Sequence, residues 1–361
     1  MKNNPSNNFS DQNSGHLMRL PRAVYIGYDS LDGLGRLMIN ENLQGPICVA
    51  SGPNVRNLLG GRLADGLKSF QTLWVVIDSP TEVMARILEQ KAKDKNAKTI
   101  LAFGGGKTID VAKVASVHLS LPMVSVPTSA SHDGISSPFA SLRDSGRPYS
   151  IVTVPPVMIV VDLNVILKAP PRLMKGGFGD MIAKLTAVKD WELGRDERGE
   201  YFGDYSANLA RMSAQHVMDK AALISQTNPE GVRALVEALI SSGVAAGIAG
   251  SSRPCSGAEH LISHALEIIA PGKGLHGEKT GLSTVITAKL HGLDWAAVRQ
   301  SLIDAGCPVN FEQLGINKEQ VVEAMMMAPK IRPDRYTILH KLKLSKPEIE
   351  SLIFHTKVID E

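Results

Sequence analysis

The sequence predicts an N-terminal α/β domain built on a parallel sheet, followed by an all-helical C-terminal domain. Short apolar runs alternate with amphipathic, helical-period segments from Arg22 to about Asp162, the rhythm of a parallel α/β sheet. Beyond Leu163 the strand signal stops, and only helical patterns follow. Pro155, Pro156, Pro170 and Pro171 punctuate the changeover. A chain of 361 residues exceeds the usual size of one core, so two domains are expected. The division predicted is a tail over 1–18, an α/β domain over 19–165 and a helical domain over 166–361.

Taken in order, the strand-like runs are AVYIGY, PICVA, LWVVID, TILAFGG, LPMVSVP and VMIVVD. They are rich in Val and Ile and nearly unbroken in apolarity, which is the mark of strands covered by helices on both faces. The helical half reads as TAVKDWELGR, YSANLARMSAQHVMDKAALIS, PEGVRALVEALISSGVAAGIAG, GAEHLISHALEIIA, KTGLSTVITAKLHG and KEQVVEAMMMAPKI. Several of these present apolar faces, and a homo-oligomer is the expected state.

Composition narrows the function classes. Hydrophobic residues make up 43% and charged ones 21%, so an ordinary folded protein is expected. A net charge of +3 is too small to indicate a nucleic-acid or membrane partner, yet it suits a small anionic substrate. Cys48, Cys255 and Cys307 are odd in number and lack CxxC spacing, which argues against disulfides and a thiolate metal site. The first eighteen residues are rich in Asn and Ser and contain no apolar run like that of a secretory signal. No stretch of about 18 consecutive apolar residues occurs, so no membrane insertion is expected. The cytoplasm is the predicted compartment.

Two polar loops follow strand-like runs. Gly104-Gly105-Gly106-Lys107-Thr108-Ile109-Asp110 lies between the run TILAF and the segment VAKVASV. Glycines admit a close approach of backbone to pyrophosphate, and a helix N-terminus supplies free N–H groups and a favourable dipole. The spacing fits neither GxxxxGK[ST] nor GxGxxG. The second loop, VPTSASHDGISSP, contains Thr128, Ser129, Ala130, Ser131, His132, Asp133 and Ser137. Ligands of open α/β sheets bind beyond the carboxyl ends of strands, so both loops can hold one nucleotide. Asp78, after LWVVID, either meets the ribose 2′-hydroxyl or starts the next helix, and use of both NADH and NADPH is expected.

The helical half contributes Asp180 in GFGDMIAK, His260 and His264 four apart in EHLISH, and His276 in GLHGEK. His260 and His264 share one helix face. A carboxylate with two imidazoles suffices for a divalent metal with an open position. Leu261 and Ile262 stand where a zinc protease would need its general-base Glu. Arg253 in SSRPC, and Arg332 and Arg335 in KIRPDRY, are candidate anchors for a substrate phosphate because guanidinium forks bind phosphate bidentately. The remaining histidines His16, His118, His216, His291 and His340 read as structural.

These motifs in this order resemble the iron-dependent alcohol dehydrogenase and dehydroquinate synthase-like superfamily. FGGGKTIDVAK, SVPTSASHDGISSP, GDMIAKLTAVKDWELG, GSSRPCSGAEHLISHALE, LHGEKTG and IRPDRYTIL look like segments of its archaeal sn-glycerol-1-phosphate dehydrogenase family, over about 100–340. The resemblance implies reduction of dihydroxyacetone phosphate by NAD(H) or NADP(H) to sn-glycerol 1-phosphate, the backbone of archaeal ether lipids. It also implies one Zn²⁺ per subunit, on Asp180, His260 and His276. Asp133, Asp180 and His264 would lie beside substrate, with Asp180 and His264 catalytic. On chemical grounds the proton would come from metal-linked water or from a relay through His264, whose unperturbed pKa of about 6.5 suits transfer near neutrality. Cofactor contacts would fall on Gly104 to Asp110, Thr128 to Ser131, and Ser137. The chemistry expected of such a site is Lewis-acid polarisation of the ketone with hydride transfer from nicotinamide. The rivals are a glycerol dehydrogenase acting on unphosphorylated substrate, a dehydroquinate synthase-like lyase, and a nucleotide-binding regulatory protein with structural histidines.

Overall fold

The computed structural model describes residues 16–144 and 147–360, and the first fifteen residues of the expected tail lie outside it. Six parallel strands form one sheet: β1 (Ala23–Gly27), β2 (Ile47–Ser51), β3 (Thr72–Val76), β4 (Thr99–Gly104), β5 (Met123–Pro127) and β8 (Met158–Asp162). Their order is β1-β8-β5-β4-β2-β3, and they coincide with the six apolar runs. Burial follows position. Strands β2, β4, β5 and β8 are buried throughout, whereas the edge strands β1 and β3 are only partly covered. Alternation within β4 shows why: Ile100 and Ala102 enter one core, Leu101 and Phe103 the other, so helices must flank both faces.

A feature absent from the apolar rhythm is the antiparallel hairpin β6 (Phe139–Asp144) and β7 (Arg147–Val152), paired only with each other. Its backbone is tied back by Arg143 N–H to Pro80 O at 2.7 Å. Beyond Asp162 the described residues contain helices and no strand. The predicted segment from Tyr205 to Ser225 is divided at Lys220 into two helices, Asp204–Asp219 and Ala221–Ser225. Among the described residues beyond Asp162, five α-helices carry no expectation from the sequence pattern: Leu163–Leu167, Pro171–Ile182, Trp295–Asp304, Ile338–Leu342 and Lys346–His355.

The helix Pro229–Ala249 is long and apolar enough to cross a membrane, with a mean hydropathy of 1.5, but 72% of its most apolar window is buried inside the fold. Core packing accounts for that composition. The glycine-rich helix Pro171–Ile182 instead serves close approach. A Cβ on Gly179 would stand 2.1 Å from Gly277 O, and one on Gly177 would stand 2.1 Å from Ala130 O. Side-chain-free backbone therefore lets this helix touch both the helix His276–Leu290 and the loop after β5.

Candidate active site

Two loops at the carboxyl end of the sheet form one wall. β4 ends at Gly104, Gly105 precedes the helix Gly106–Leu119, and Thr128 N–H donates to Gly104 O at 3.1 Å, tying the second loop to the first. Gly106 sits directly against the imidazole of His132, whose Nε2 would be 1.7 Å from an added Cβ. Lys107 is exposed, while Thr108, Ile109, Asp110, Thr128, Ser129, Ala130 and Ser137 are buried, and Ser131 is partly so. Ile109 belongs to the hydrophobic core. Asp110 accepts from Ser141 N–H at 3.2 Å, and Lys113 Nζ donates to Phe139 O at 2.7 Å, so this helix also secures the hairpin. Burial raises the Asp110 carboxyl and lowers the Lys113 ammonium from their ordinary values, against their mutual attraction.

Opposite stand the helices Pro171–Ile182, Ala258–Ile269 and His276–Leu290. The glycine seam sets Asp180 next to the N-terminus of the last, where His276 is the first residue. The metal-capable atoms of Asp180, His260 and His276 all lie within 4.8 Å of one another, as do those of His264, Glu267 and His276. Asp180 Oδ1 is 3.3 Å from His260 Nε2, and the His260 and His276 rings are 5.3 Å apart between centroids.

Hydrogen bonds separate ligands from orienting groups. Glu259 Oε1 lies 2.8 Å from His260 Nδ1, and its carboxylate also accepts from Gly257 N–H at 2.6 Å and Thr186 Oγ1 at 2.8 Å. Glu267 Oε1 lies 3.0 Å from His276 Nδ1. Each histidine thus has Nδ1 held by a carboxylate, and His260 turns Nε2 toward Asp180 Oδ1, the arrangement that fixes the tautomer of a metal-binding imidazole. Burial alone would raise the Asp180 carboxyl, but Lys184 and His260 hold it well below its usual value. His260 is raised, its hydrogen bonds to Asp180 and Glu259 outweighing desolvation. His264 is pushed down to about 3, chiefly by desolvation, so it is neutral at pH 7. Its Nδ1 is buried without a hydrogen-bond partner among the described residues. An imidazole with an orphaned nitrogen beside a carboxylate and two oriented imidazoles is a donor set that fits a divalent transition metal.

Between the walls lies a cleft of about 420 Å³. Gly106, Lys107, Asp110, His132, Asp133 and Ser137 line its sheet side; Asp180, His260, His264, Glu267 and His276 line the helical side. Arg332 is on the cleft, but Arg253 and Arg335 are not. Arg253 is buried in an ion pair with Glu200 and donates to Tyr336 O at 2.8 Å, while Arg335 donates to Ser256 O at 2.5 Å and Ser252 Oγ at 2.7 Å. Gly104, Gly105, Thr108 and the segment Thr128 to Ser131 lie behind the lining. Sequence reasoning missed Lys184, Glu259, Glu267 and the hairpin's Arg143. Lys184, four residues after Asp180, and Glu267, three after His264, carried a helical-spacing signal.

Residues 25–170 match the iron-containing alcohol dehydrogenase family. The chain is 44% identical to the glycerol-1-phosphate dehydrogenase (NAD(P)+) of Nitrosopumilus maritimus, over 97% of this chain and 99% of that protein. It is 44% identical to the enzyme of the same description from Sulfurisphaera tokodaii, over 96% and 99%. In structure it is similar to glycerol dehydrogenase from Schizosaccharomyces pombe, with a TM-score of 0.78 at 20% identity over 95% of this chain and 90% of that one.

Proposed function

This chain belongs to the glycerol-1-phosphate dehydrogenase family, and from that premise we propose that it reduces dihydroxyacetone phosphate with NADH or NADPH to sn-glycerol 1-phosphate. It is an NAD(P)-dependent oxidoreductase, and its product suits the archaeal ether-lipid backbone. The observation that carries this reading is the single cleft joining a glycine-rich strand-to-helix turn to the Asp180, His260 and His276 cluster. Full-length likeness to dehydrogenases of phosphorylated glycerol favours it over the glycerol dehydrogenase, lyase and regulatory readings. Residues 19–165 are assigned to nucleotide binding and 166–361 to metal and substrate. The enzyme is assigned to the cytoplasm as a homo-oligomer.

Asp180 Oδ1 and the Nε2 atoms of His260 and His276 would hold one Zn²⁺ per subunit, a preference supported by one carboxylate and two imidazoles that Glu259 and Glu267 orient. Bound there, the metal supplies Lewis acidity toward the ketone oxygen, and the nicotinamide supplies hydride. The turn from Gly104 to Asp110 receives the pyrophosphate, with Thr128 to Ser131 and Ser137 supporting it. Asp133, reaching the cleft from the sheet side, accepts from a substrate hydroxyl. His264 is neutral with one ring N–H and one nitrogen able to accept, so it would position substrate and relay a proton by giving its N–H proton to the carbonyl oxygen as the other nitrogen takes one from water in the cleft. The substrate phosphate pairs with Arg332, aided by Arg143 across the cleft. Arg253 and Arg335 support that segment from behind.

Oxidation of NADH and of NADPH is to be followed with dihydroxyacetone phosphate, before and after chelation and zinc restoration, with a stereospecific assay of product. Metal-dependent formation of the sn-1 phosphate is expected. No oxidation with either cofactor, in protein shown to contain metal, would sink the reading.

A further inference from the structure

Lys184 opens the helix Lys184–Arg198, one turn beyond Asp180, and its side chain is completely buried. Its Nζ lies 3.1 Å from Asp180 Oδ2 and 3.0 Å from Asp133 Oδ2. Asp180 Oδ2 also accepts from the Asp133 backbone N–H at 3.1 Å, and Asp133 Oδ2 from Ser242 Oγ at 3.0 Å. On each carboxylate, one hydrogen-bond donor and the ion-paired Lys184 ammonium therefore occupy the same oxygen. What remains is Asp180 Oδ1, which faces His260 Nε2 at 3.3 Å, and Asp133 Oδ1.

A buried ammonium beside a cation site is electrostatically costly, since it repels the ion whose ligand it touches. A stabilising role alone would be met at lower cost by an apolar side chain. Two carboxylates this close to one metal would tend to close the site, Asp180 by swinging both oxygens inward and Asp133 by becoming a further ligand. A catalytic metal site needs an open position for substrate.

Resting on the metal assignment proposed above, we propose that Lys184 is a positioning residue that keeps the metal site open: it ties one oxygen each of Asp180 and Asp133 to a single ammonium. Asp180 is thereby limited to one donor oxygen, and Asp133 is held on the substrate side, off the metal. Charge alternates along the chain from metal to Asp180, Lys184 and Asp133.

The test uses Co²⁺ loaded into the full chain, read by its visible d–d spectrum and by competition with a chelator. Lys184→Met should bind Co²⁺ at least as tightly as the parent, with a weaker d–d band that reports a more crowded coordination sphere. Its kcat with dihydroxyacetone phosphate should fall about 10- to 100-fold, the usual effect of losing a group that orients ligands. Adding Asp133→Asn to Lys184→Met should restore most of the parent band, because the intruding carboxylate is gone, while Asp133→Asn alone should leave the band unchanged. A purely structural lysine would lower the melting temperature without moving the spectrum. If Lys184→Met does not fold, Lys184→Gln, whose amide keeps two N–H donors but no charge, should move the band in the same direction by a smaller amount. An unchanged spectrum in a folded variant, or weaker Co²⁺ binding, would overturn the proposal alone. A parent that takes up no Co²⁺ would overturn the metal assignment and this proposal with it.

Discussion

His264 shows how far surroundings move a single group. Free imidazole titrates near 6.5, which suits proton relay at neutral pH, but desolvation in the cleft pushes this ring down to about 3. In metal-free protein the unfolded chain therefore takes up the proton first. The contribution to stability is whole above about 6.5 and is lost as pH falls toward 3, with a slope of at most about 1.4 kcal/mol per pH unit, the limit for one proton taken up by the unfolded chain alone. Denaturant unfolding of chelated His264→Asn should show a flatter fall between pH 6.5 and 4 than the parent; equal slopes would mean the ring is not held neutral. Arg332 is the cleft cation among the three arginines with phosphate-binding motifs. Arg332→Ala should raise KM for dihydroxyacetone phosphate by about 10- to 100-fold, the worth of a charge-assisted hydrogen bond, and leave turnover of dihydroxyacetone nearly unchanged. Equal effects on both substrates would show that Arg332 does not read the phosphate.

At the scale of elements, the seam between the helices Pro171–Ile182 and His276–Leu290 decides whether Asp180 meets His276. Gly179→Ala places a methyl group where Gly277 O already lies, and backbone cannot rotate aside as a side chain does. Destabilisation of about 1–3 kcal/mol is expected, together with weaker metal retention against a chelator. Loss of stability with metal affinity intact would uncouple the seam from the site. That helix also shows where sequence reading stops. PRLMKGGFGDMI has three glycines, which read locally as turn, and only the facing backbone explains them. Strands β2, β4, β5 and β8 were legible because burial on both faces leaves an unbroken apolar run. FASLRD and RPYSIV were not, since they form a separate two-stranded hairpin without such a run. Asp180, His260 and His276 were legible as residue types in a motif order. Glu259 was not, because adjacent helical residues do not face each other, yet here its carboxylate reaches back to His260 Nδ1.

Across the whole molecule, nucleotide and metal residues sit on different supports. The glycine turn and the loop after β5 hang from the sheet, whereas Asp180, His260 and His276 belong to three helices. The cleft unites them through its contents. They also touch directly: Gly177 lies against Ala130 O, Asp133 N–H donates to Asp180 Oδ2 at 3.1 Å, and Lys184 pairs with both aspartates. If those contacts transmit little, removal of metal should leave NADH affinity within about a factor of two, the near-additivity of weakly coupled sites. Turnover should disappear at the same time. Fluorescence titration of NADH into parent and chelated protein measures the first, and cofactor oxidation the second. A tenfold loss of NADH affinity on chelation would mean that the helix carrying Gly177 and Asp180 transmits metal occupancy to the nucleotide loop. Gly177→Ala should then alter that coupling. Turnover persisting without metal would contradict the chemistry assigned to the cluster, and would leave its paired carboxylates and imidazoles as a buried polar network needing another explanation.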